Sequence, residues 1–312
     1  MSGRAVPSTS CLVIACLVAF AAALMLLAAP PGARAVSSEM SPPPGANNWS
    51  CKPSAAHPRP VVLVHGLGAT MGENWVSMSP MLARHGYCVF ALTYGLAPGE
   101  TVVGGVIPME QSSHELASFV DRVLAATGAA KVDIVGHSEG TVMPRYYIKH
   151  LGGAAKVDHM VALTPLYNGT NLLGLGQVVL LGEKLNPAAT GEILSVVGAF
   201  CGSCPEFLVG SSYLNELNQG GGAVAGVTYT NIMSRYDELV SPYSSGYLSA
   251  PSSTNIVLQN QCALDLAEHV GVAFDPIAGQ DILNALDPAH AKTPACTVVL
   301  PVVGNPPALG QL

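Results

Sequence analysis

The stretch "VDIVGHSEGT", Val132 to Thr141, runs four mostly apolar residues suited to a buried strand into a serine bracketed by glycines, with helix-compatible sequence after it. A strand that turns at a serine and continues at once as a helix holds that serine in a strained conformation, its hydroxyl pointing out of the sheet. The residues around it must then be tiny. Gly136 and Gly140 supply that clearance, and the GxSxG pattern centred on Ser138 is that of a nucleophile elbow. In a chain with 33 glycines the bare pattern says little, and its place between a predicted strand and a predicted helix is what gives it weight.

Outward from this corner the chain alternates. "VVLVHG" (Val61 to Gly66) and "YCVFALTY" (Tyr87 to Tyr94) are short apolar runs of the kind expected of strands buried on both faces. Between them "WVSMSPMLARHG" reads as a helix closed by Gly86. "MEQSSHELASFVDRVLAATG" carries Leu116, Phe119, Val120, Val123 and Leu124 at helical spacing and stops at Gly128. After the elbow, "GTVMPRYYIKHLGG" reads as a helix, "VDHMVALTP", "GVTYTNIMS" and "TNIVLQ" as strands, and "ILNALDP" as a late helix. Strands alternating with helices imply right-handed crossovers and a mainly parallel sheet, so the expected class is α/β. One segment breaks the rhythm: from about 172 to 217 the chain is apolar, glycine-punctuated and too long for a loop, which predicts short helices inserted between two strands as a cap spanning about 167–220. Such an insertion beyond the carboxyl ends of the strands would roof the crevice where open α/β sheets bind ligands.

The ends and the composition narrow the class. "CLVIACLVAFAAALMLLAA" followed by Ala33-Arg34-Ala35 predicts a secretory signal peptide cut after Ala35, with an uncut membrane anchor as the alternative. Residues 36–59 are rich in Pro, Ser and Asn and read as an extended lead-in to a domain over 60–312. The net charge is −7 and the 13 Lys and Arg form no basic cluster, which argues against a nucleic-acid partner. Of 8 cysteines, Cys11 and Cys16 fall in the leader. The remaining six suggest disulfides, and pairing by chain proximity gives Cys51 with Cys88, Cys201 with Cys204, and Cys262 with Cys296. "CGSC" as half a zinc site is the rival, but no second CxxC or HxxxH completes it, so no metal is expected.

A serine hydroxyl is a poor nucleophile near neutral pH. A histidine must take its proton and a carboxylate must fix that histidine's tautomer, in the chain order Ser, acid, His for this type of elbow. His57, His65, His85, His114 and His137 precede Ser138, while His150 and His159 leave no room for an acid on a later strand. His269 and His290 remain, and His269, after the last strand-like run, is preferred. Asp237 in "SRYDELVSPY" follows the strand "GVTYTNIM" and is the expected acid, with Asp265 as runner-up; Glu238 and Glu268 read as solvated. The oxyanion formed on attack needs two backbone N–H donors. One is expected from Glu139, directly after the nucleophile, and the other from Leu67 after the first strand, with Gly68 as the alternative. His65 is expected to hold that loop, and the Glu139 carboxylate to sit near the positive end of its helix.

With these residues placed, the sequence resembles the exported actinobacterial lipases and esterases of the α/β-hydrolase superfamily known as class 2 lipases. The resemblance runs from about Pro60 to Cys296 and rests on "PVVLVHGLGAT", "NWVSMSPMLARHGYCVFALTYG", "GHSEG" with "MPRYYIKHLGGAAKVDHMVAL", "YTNIMSRYDELVSPY" and "LDLAEHVGVAFDP". It implies carboxylic-ester hydrolysis without a cofactor, with Ser138, Asp237 and His269 at the matching positions and Leu67 and Glu139 as donors. The family often has glutamine where this chain has Glu139 and glycine where it has Thr141. Leu172, Leu173, Leu175, Val178, Val179, Leu180 and Leu181 form an apolar run near the expected mouth, suited to acyl chains or a lipid–water interface, or else to packing as core. Two other functions fit the same residues: a cell-envelope acyltransferase and a catalytically silent binding protein.

Overall fold

The computed structural model describes residues 41–312 apart from 172–174, 306, 307, 309 and 311. The leader expected over 1–35 lies outside the described residues, as do Leu172 and Leu173. Six strands, β1 (Val61–Val64), β2 (Val89–Leu92), β3 (Val132–His137), β4 (Val157–Leu163), β5 (Thr228–Met233) and β6 (Ser253–Val257), form one sheet in the order β2-β1-β3-β4-β5-β6. Every pairing is parallel.

Because successive side chains point to opposite faces, a strand covered by helices on both sides must be apolar at nearly every position. Val62, Val64, Phe90, Ile134, Met160 and Ala162 face one core. Val61, Leu63, Val89, Ala91, Val135 and Val161 face the other. The first core is closed by α3 (Met109–Thr127) and α4 (Glu139–His150), the second by α2 (Met78–Arg84) and α9 (Pro276–Leu286); the short α1 (Met71–Asn74) precedes α2. In α3 the predicted stripe of Leu116, Phe119, Val120 and Val123 is buried, and Gly128 at φ 78° ends the helix by donating its N–H to the Leu124 carbonyl.

Between β4 and β5 lie α5 (Leu175–Leu185), α6 (Pro187–Phe200), a 3₁₀ turn (Cys204–Phe207) and α7 (Ser212–Asn218). Leu181, Leu185, Val196 and Phe200 of this insertion are exposed, whereas Val179 and Leu180 are half-buried.

Residues 41–59 differ from the expected unpacked lead-in. They form no helix or strand, yet they are bound along the free edge of β2. The Asn47 N–H donates to the Val89 carbonyl at 2.9 Å, and the Asn47 side chain both donates to and accepts from the Ala91 backbone at 2.9 and 2.8 Å. Trp49 packs on Phe90 and Phe119 with Arg122 stacked over its ring. An edge strand exposes unpaired N–H and C=O groups, and a polar segment that satisfies them blocks edge-to-edge association. Disulfides join Cys51 to Cys88, Cys201 to Cys204 and Cys262 to Cys296. The first ties this segment to the start of β2. A Cys51→Ala/Cys88→Ala variant is expected to lose about 3 kcal/mol of stability, read as a lower urea midpoint; a loss below about 0.5 kcal/mol would show that its hydrogen bonds and the packing of Trp49 hold the segment without the disulfide.

Candidate active site

The order of strands decides where a site can form. The chain lays down β1, places β2 on one side of it and then β3 on the other, so the loops leaving β1 and β3 diverge and open a crevice at their carboxyl ends. Ser138 follows β3 and Leu67 follows β1, at the two lips of this crevice.

Ser138 has φ 55° and ψ −119°, a conformation that side chains rarely adopt. It exists because nothing larger than glycine fits nearby. A Cβ on Gly136 would lie 1.9 Å from the Gly140 carbonyl oxygen, and one on Gly140 would lie 2.1 Å from the Val64 carbonyl oxygen. Strand, elbow and helix therefore touch backbone to backbone. The Ser138 N–H donates to the Leu163 carbonyl at 3.0 Å, which anchors the corner to β4.

Two loops bring the other groups. The loop after β5 carries Asp237, and the loop after α8 (Leu258–Gln261) carries His269. His269 Nε2 lies 2.8 Å from Ser138 Oγ, and His269 Nδ1 lies 2.9 Å from both carboxylate oxygens of Asp237. Both side chains are buried. Asp237 Oδ1 also accepts the N–H groups of Leu239 and Val240, which fixes the carboxylate independently of the histidine. Burial would lower the basicity of His269, but the charge of Asp237 and its hydrogen bond outweigh this and raise the imidazole above its ordinary value of 6.5.

The remaining candidates fall elsewhere. His290 is exposed and paired with Asp287. Asp265 is buried, accepts the Ala267 N–H at 2.9 Å and lies against Asp275, so it braces the histidine loop from within. Glu268 is not simply solvated: it accepts the N–H groups of Val270, Gly271 and Val302. Glu238 is exposed and accepts the His269 N–H at 3.4 Å. The Gly68 N–H is already donated to the Gly104 carbonyl at 2.8 Å, whereas no acceptor takes the Leu67 N–H among the described residues. Glu139 opens α4, so its N–H has no carbonyl of its own helix to reach. His65 is buried, with Nδ1 2.8 Å from the Gly66 carbonyl and Nε2 accepting the Tyr94 N–H, and burial lowers it to about 4.

Residues 58–281 match the family described as Lipase (class 2). The chain belongs to the class 2 lipase family. It is 30% identical over 151 residues to a triacylglycerol lipase of Pseudarthrobacter phenanthrenivorans, covering 47% of this chain and 43% of that one. It is 31% identical over 151 residues to a triacylglycerol lipase of Burkholderia plantarii, covering 47% of this chain and 38% of that one. Each match spans less than half of the relative's length. The structure resembles Aspergillus fumigatus lipase B with a TM-score of 0.62 at 21% identity, over 86% of this chain and 63% of that one, which shows an α/β-hydrolase fold.

Against this family background several supporting residues stand out that the sequence did not reveal. His137 Nε2 lies 2.8 Å from the His269 carbonyl and Nδ1 lies 2.9 Å from Asn74 Oδ1, which itself accepts the Gly66 N–H at 3.0 Å. Burial lowers His137 to about 3, so the ring is neutral and its single N–H serves one of these two oxygens, and the packed ring stands as a brace between the elbow and the histidine loop. Gln259 bridges the two loops, accepting the Arg235 N–H at 2.8 Å and donating to the Asp265 carbonyl at 3.3 Å, while the Ser234 hydroxyl donates to the Ala267 carbonyl. A polar residue ahead of the elbow serine was the one available signal for His137; nothing in sequence marked Gln259. The Gly136→Ala variant is expected to lose at least about 3 kcal/mol of stability, whereas Gly191→Ala in α6, where an added Cβ meets nothing within 4 Å, should be neutral or gain up to about 1 kcal/mol. Equal melting temperatures for the two would contradict the backbone contact at the elbow.

Proposed function

We propose that this class 2 lipase family member is an exported serine hydrolase that cleaves carboxylic esters through an acyl-enzyme. The observation that carries it is the continuous chain of contacts from Ser138 Oγ to His269 at 2.8 Å and on to Asp237 at 2.9 Å. In the first step the Ser138 oxygen bonds to the ester carbonyl carbon as its proton passes to His269 Nε2, and the imidazolium is stabilised by the Asp237 carboxylate. The negative charge on the former carbonyl oxygen is met by the Leu67 and Glu139 N–H groups, each worth about 10²–10³ in rate. Collapse of this intermediate breaks the bond to the alcohol, which leaves with the proton from His269. A water molecule, deprotonated by the same imidazole, then releases the acid and restores Ser138.

Triacylglycerols are the substrate class favoured by the names of the relatives and by the exposed Leu181, Leu185, Val196 and Phe200 on the cap helices, which suit a lipid–water interface. Export is supported by the apolar stretch before Ala35 and by three disulfides, which persist in oxidising compartments. Among the described residues no helix is long and apolar enough to cross a membrane.

A fluorophosphonate is expected to label Ser138, and Ser138→Ala should abolish both labelling and hydrolysis of p-nitrophenyl butyrate; full activity in that variant would end the assignment. Since His269 must be neutral to accept a proton, kcat/KM should rise with pH through a midpoint above 6.5. Asp237→Asn should move that midpoint down and cost about 10³–10⁴ in kcat, as the carboxylate both raises the imidazole and fixes its tautomer. A long-chain emulsion should show a jump in rate once an interface forms, and a smooth hyperbola would restrict the substrates to dissolved esters.

A further inference from the structure

Glu139 supplies a backbone N–H in the mechanism above, but no step uses its side chain. That side chain is fully buried, and neither carboxyl oxygen has a hydrogen-bond partner among the described residues. It lies at the start of its helix, as its position in the sequence suggested, but it is enclosed there. It is wedged against Gly105: a Cβ there would lie 2.6 Å from Glu139 Oε2 and 3.2 Å from the Leu67 Cα. Gly104 and Gly105 form a strap that holds the loop after β1. The Gly68 N–H donates to the Gly104 carbonyl at 2.8 Å, the Gly104 N–H to Ala69 at 3.2 Å and the Gly105 N–H to Tyr94 at 2.9 Å. From the cap, the Ser203 hydroxyl between the cysteines of the Cys201–Cys204 pair donates to the Gly105 carbonyl at 2.6 Å. The carboxyl of Glu139 therefore presses on one side of the strap while Leu67 lies on another.

The groups facing Glu139 are Tyr94 at the end of β2, Glu206 from the turn that follows the cap disulfide, and Tyr213 from α7, with Glu115 of α3 behind Tyr94. All are acids or phenols. The Tyr94 hydroxyl donates to the His65 carbonyl at 2.8 Å, so toward Glu139 it offers only a lone pair. Arg145, on the same helix, is engaged by Asn218 Oδ1 and the carbonyls of Leu217 and Gly222. An anion in this enclosure would be shut off from bulk solvent with no cation facing it, and beside it stand only the Tyr94 phenol, whose proton goes to the His65 carbonyl, and the positive end of its own helix; desolvation outweighs these, and such a group keeps its proton instead. Burial first, and then the charge of Glu206, push Glu139 well above the ordinary carboxyl range.

We propose that Glu139 is a positioning residue that works as the neutral acid, packed between the nucleophile elbow and the Gly104–Gly105 strap, and that losing its proton displaces the strap and Leu67 and so sets the alkaline limit of activity. The inference rests on the assignment of Leu67 and Glu139 as oxyanion donors. Once ionised, Glu139 demands solvation in a space that a Cβ would already fill, and it places a negative charge behind the position where the oxyanion forms. Both effects oppose the donors in the step that needs them. Glutamine, of nearly the same shape and without a removable proton, would hold the strap at every pH.

The test is the pH profile of kcat/KM on p-nitrophenyl butyrate between about pH 5 and about pH 9.5 for the wild type, Glu139→Gln and Glu206→Gln. The wild type is expected to give a bell whose acid limb belongs to His269. One pH unit beyond the alkaline midpoint, Glu139→Gln should be about tenfold more active than the wild type, each relative to its own optimum. Glu206→Gln should move the alkaline midpoint to lower pH, because it removes the like charge that helps Glu139 keep its proton. A wild type with no alkaline fall, or a Glu139→Gln profile that keeps the same fall, overturns the proposal. A second readout does not need the triad. A group whose folded-state value is raised stabilises fully below its ordinary value of 4.5 and loses that contribution as pH rises toward the folded-state value. In a Ser138→Ala background, the melting temperature of Glu139→Gln should therefore pull ahead of its parent progressively with pH, and a constant gap overturns the buried neutral acid. Failure of fluorophosphonate to label Ser138 would sink the hydrolytic mechanism and leave this melting result intact, so the two can fail separately.

Discussion

The elbow rests on a close approach of backbones: Gly136 lies under the Gly140 carbonyl and Gly140 lies against the Val64 carbonyl, with no space for a single added carbon between them. That approach forces Ser138 into its left-handed conformation, and the cost, of order 1–3 kcal/mol, is borne by the two apolar cores that clamp β1, β3 and α4 together. A hydroxyl on this corner cannot relax into the sheet or onto the helix. It can only face the crevice, and every other part of the site is arranged around that fixed point.

Topology supplies the partners at little further cost. Because β1 and β3 are neighbours with divergent loops, Leu67 and Glu139 arrive on either side of the elbow without any long excursion of the chain. Asp237 and His269 come instead from loops on the far side of the sheet, and loops alone are poorly suited to hold a 2.8 Å contact. The compensation is a polar mesh. Ser234 and Gln259 tie the acid loop to the histidine loop, Asp265 braces the latter from within, and His137 reaches back from the elbow to the His269 carbonyl. These groups lie outside the Ser138–His269–Asp237 chain of contacts, yet they limit the freedom of the imidazole to the neighbourhood of Ser138 Oγ.

The cap joins this arrangement at one place that bears on chemistry. The turn closed by Cys201 and Cys204 is bonded to the strap that carries Gly104 and Gly105, through Gly202 to Val106 and Ser203 to Gly105. The same turn leads to Glu206, whose carboxylate accepts the Met109 N–H and which partial burial raises to about 7. The inserted helices and the loop after β1 are thus linked by a short path of hydrogen bonds, with the half-buried Glu206 beside it.

Sequence by itself determined the class of fold, the elbow, and the short roster of histidines and acids that chain order permits. Those features are local: strand and helix periods, glycine at a corner, and the order of residues along the chain are written within a few positions of each other. It also located the six cysteines, whose pairs lie near in sequence. Only the tertiary structure decided that residues 41–59 seal the β2 edge, that Asp265 and Glu268 are braces, that Gly68 is already engaged, and that Glu139 is an enclosed acid with no cation facing it among the described residues. Each of these depends on what stands opposite a residue across a gap in the chain, and hydrogen-bond partners and desolvation are properties of that opposite face, which no pattern of neighbours along the backbone encodes.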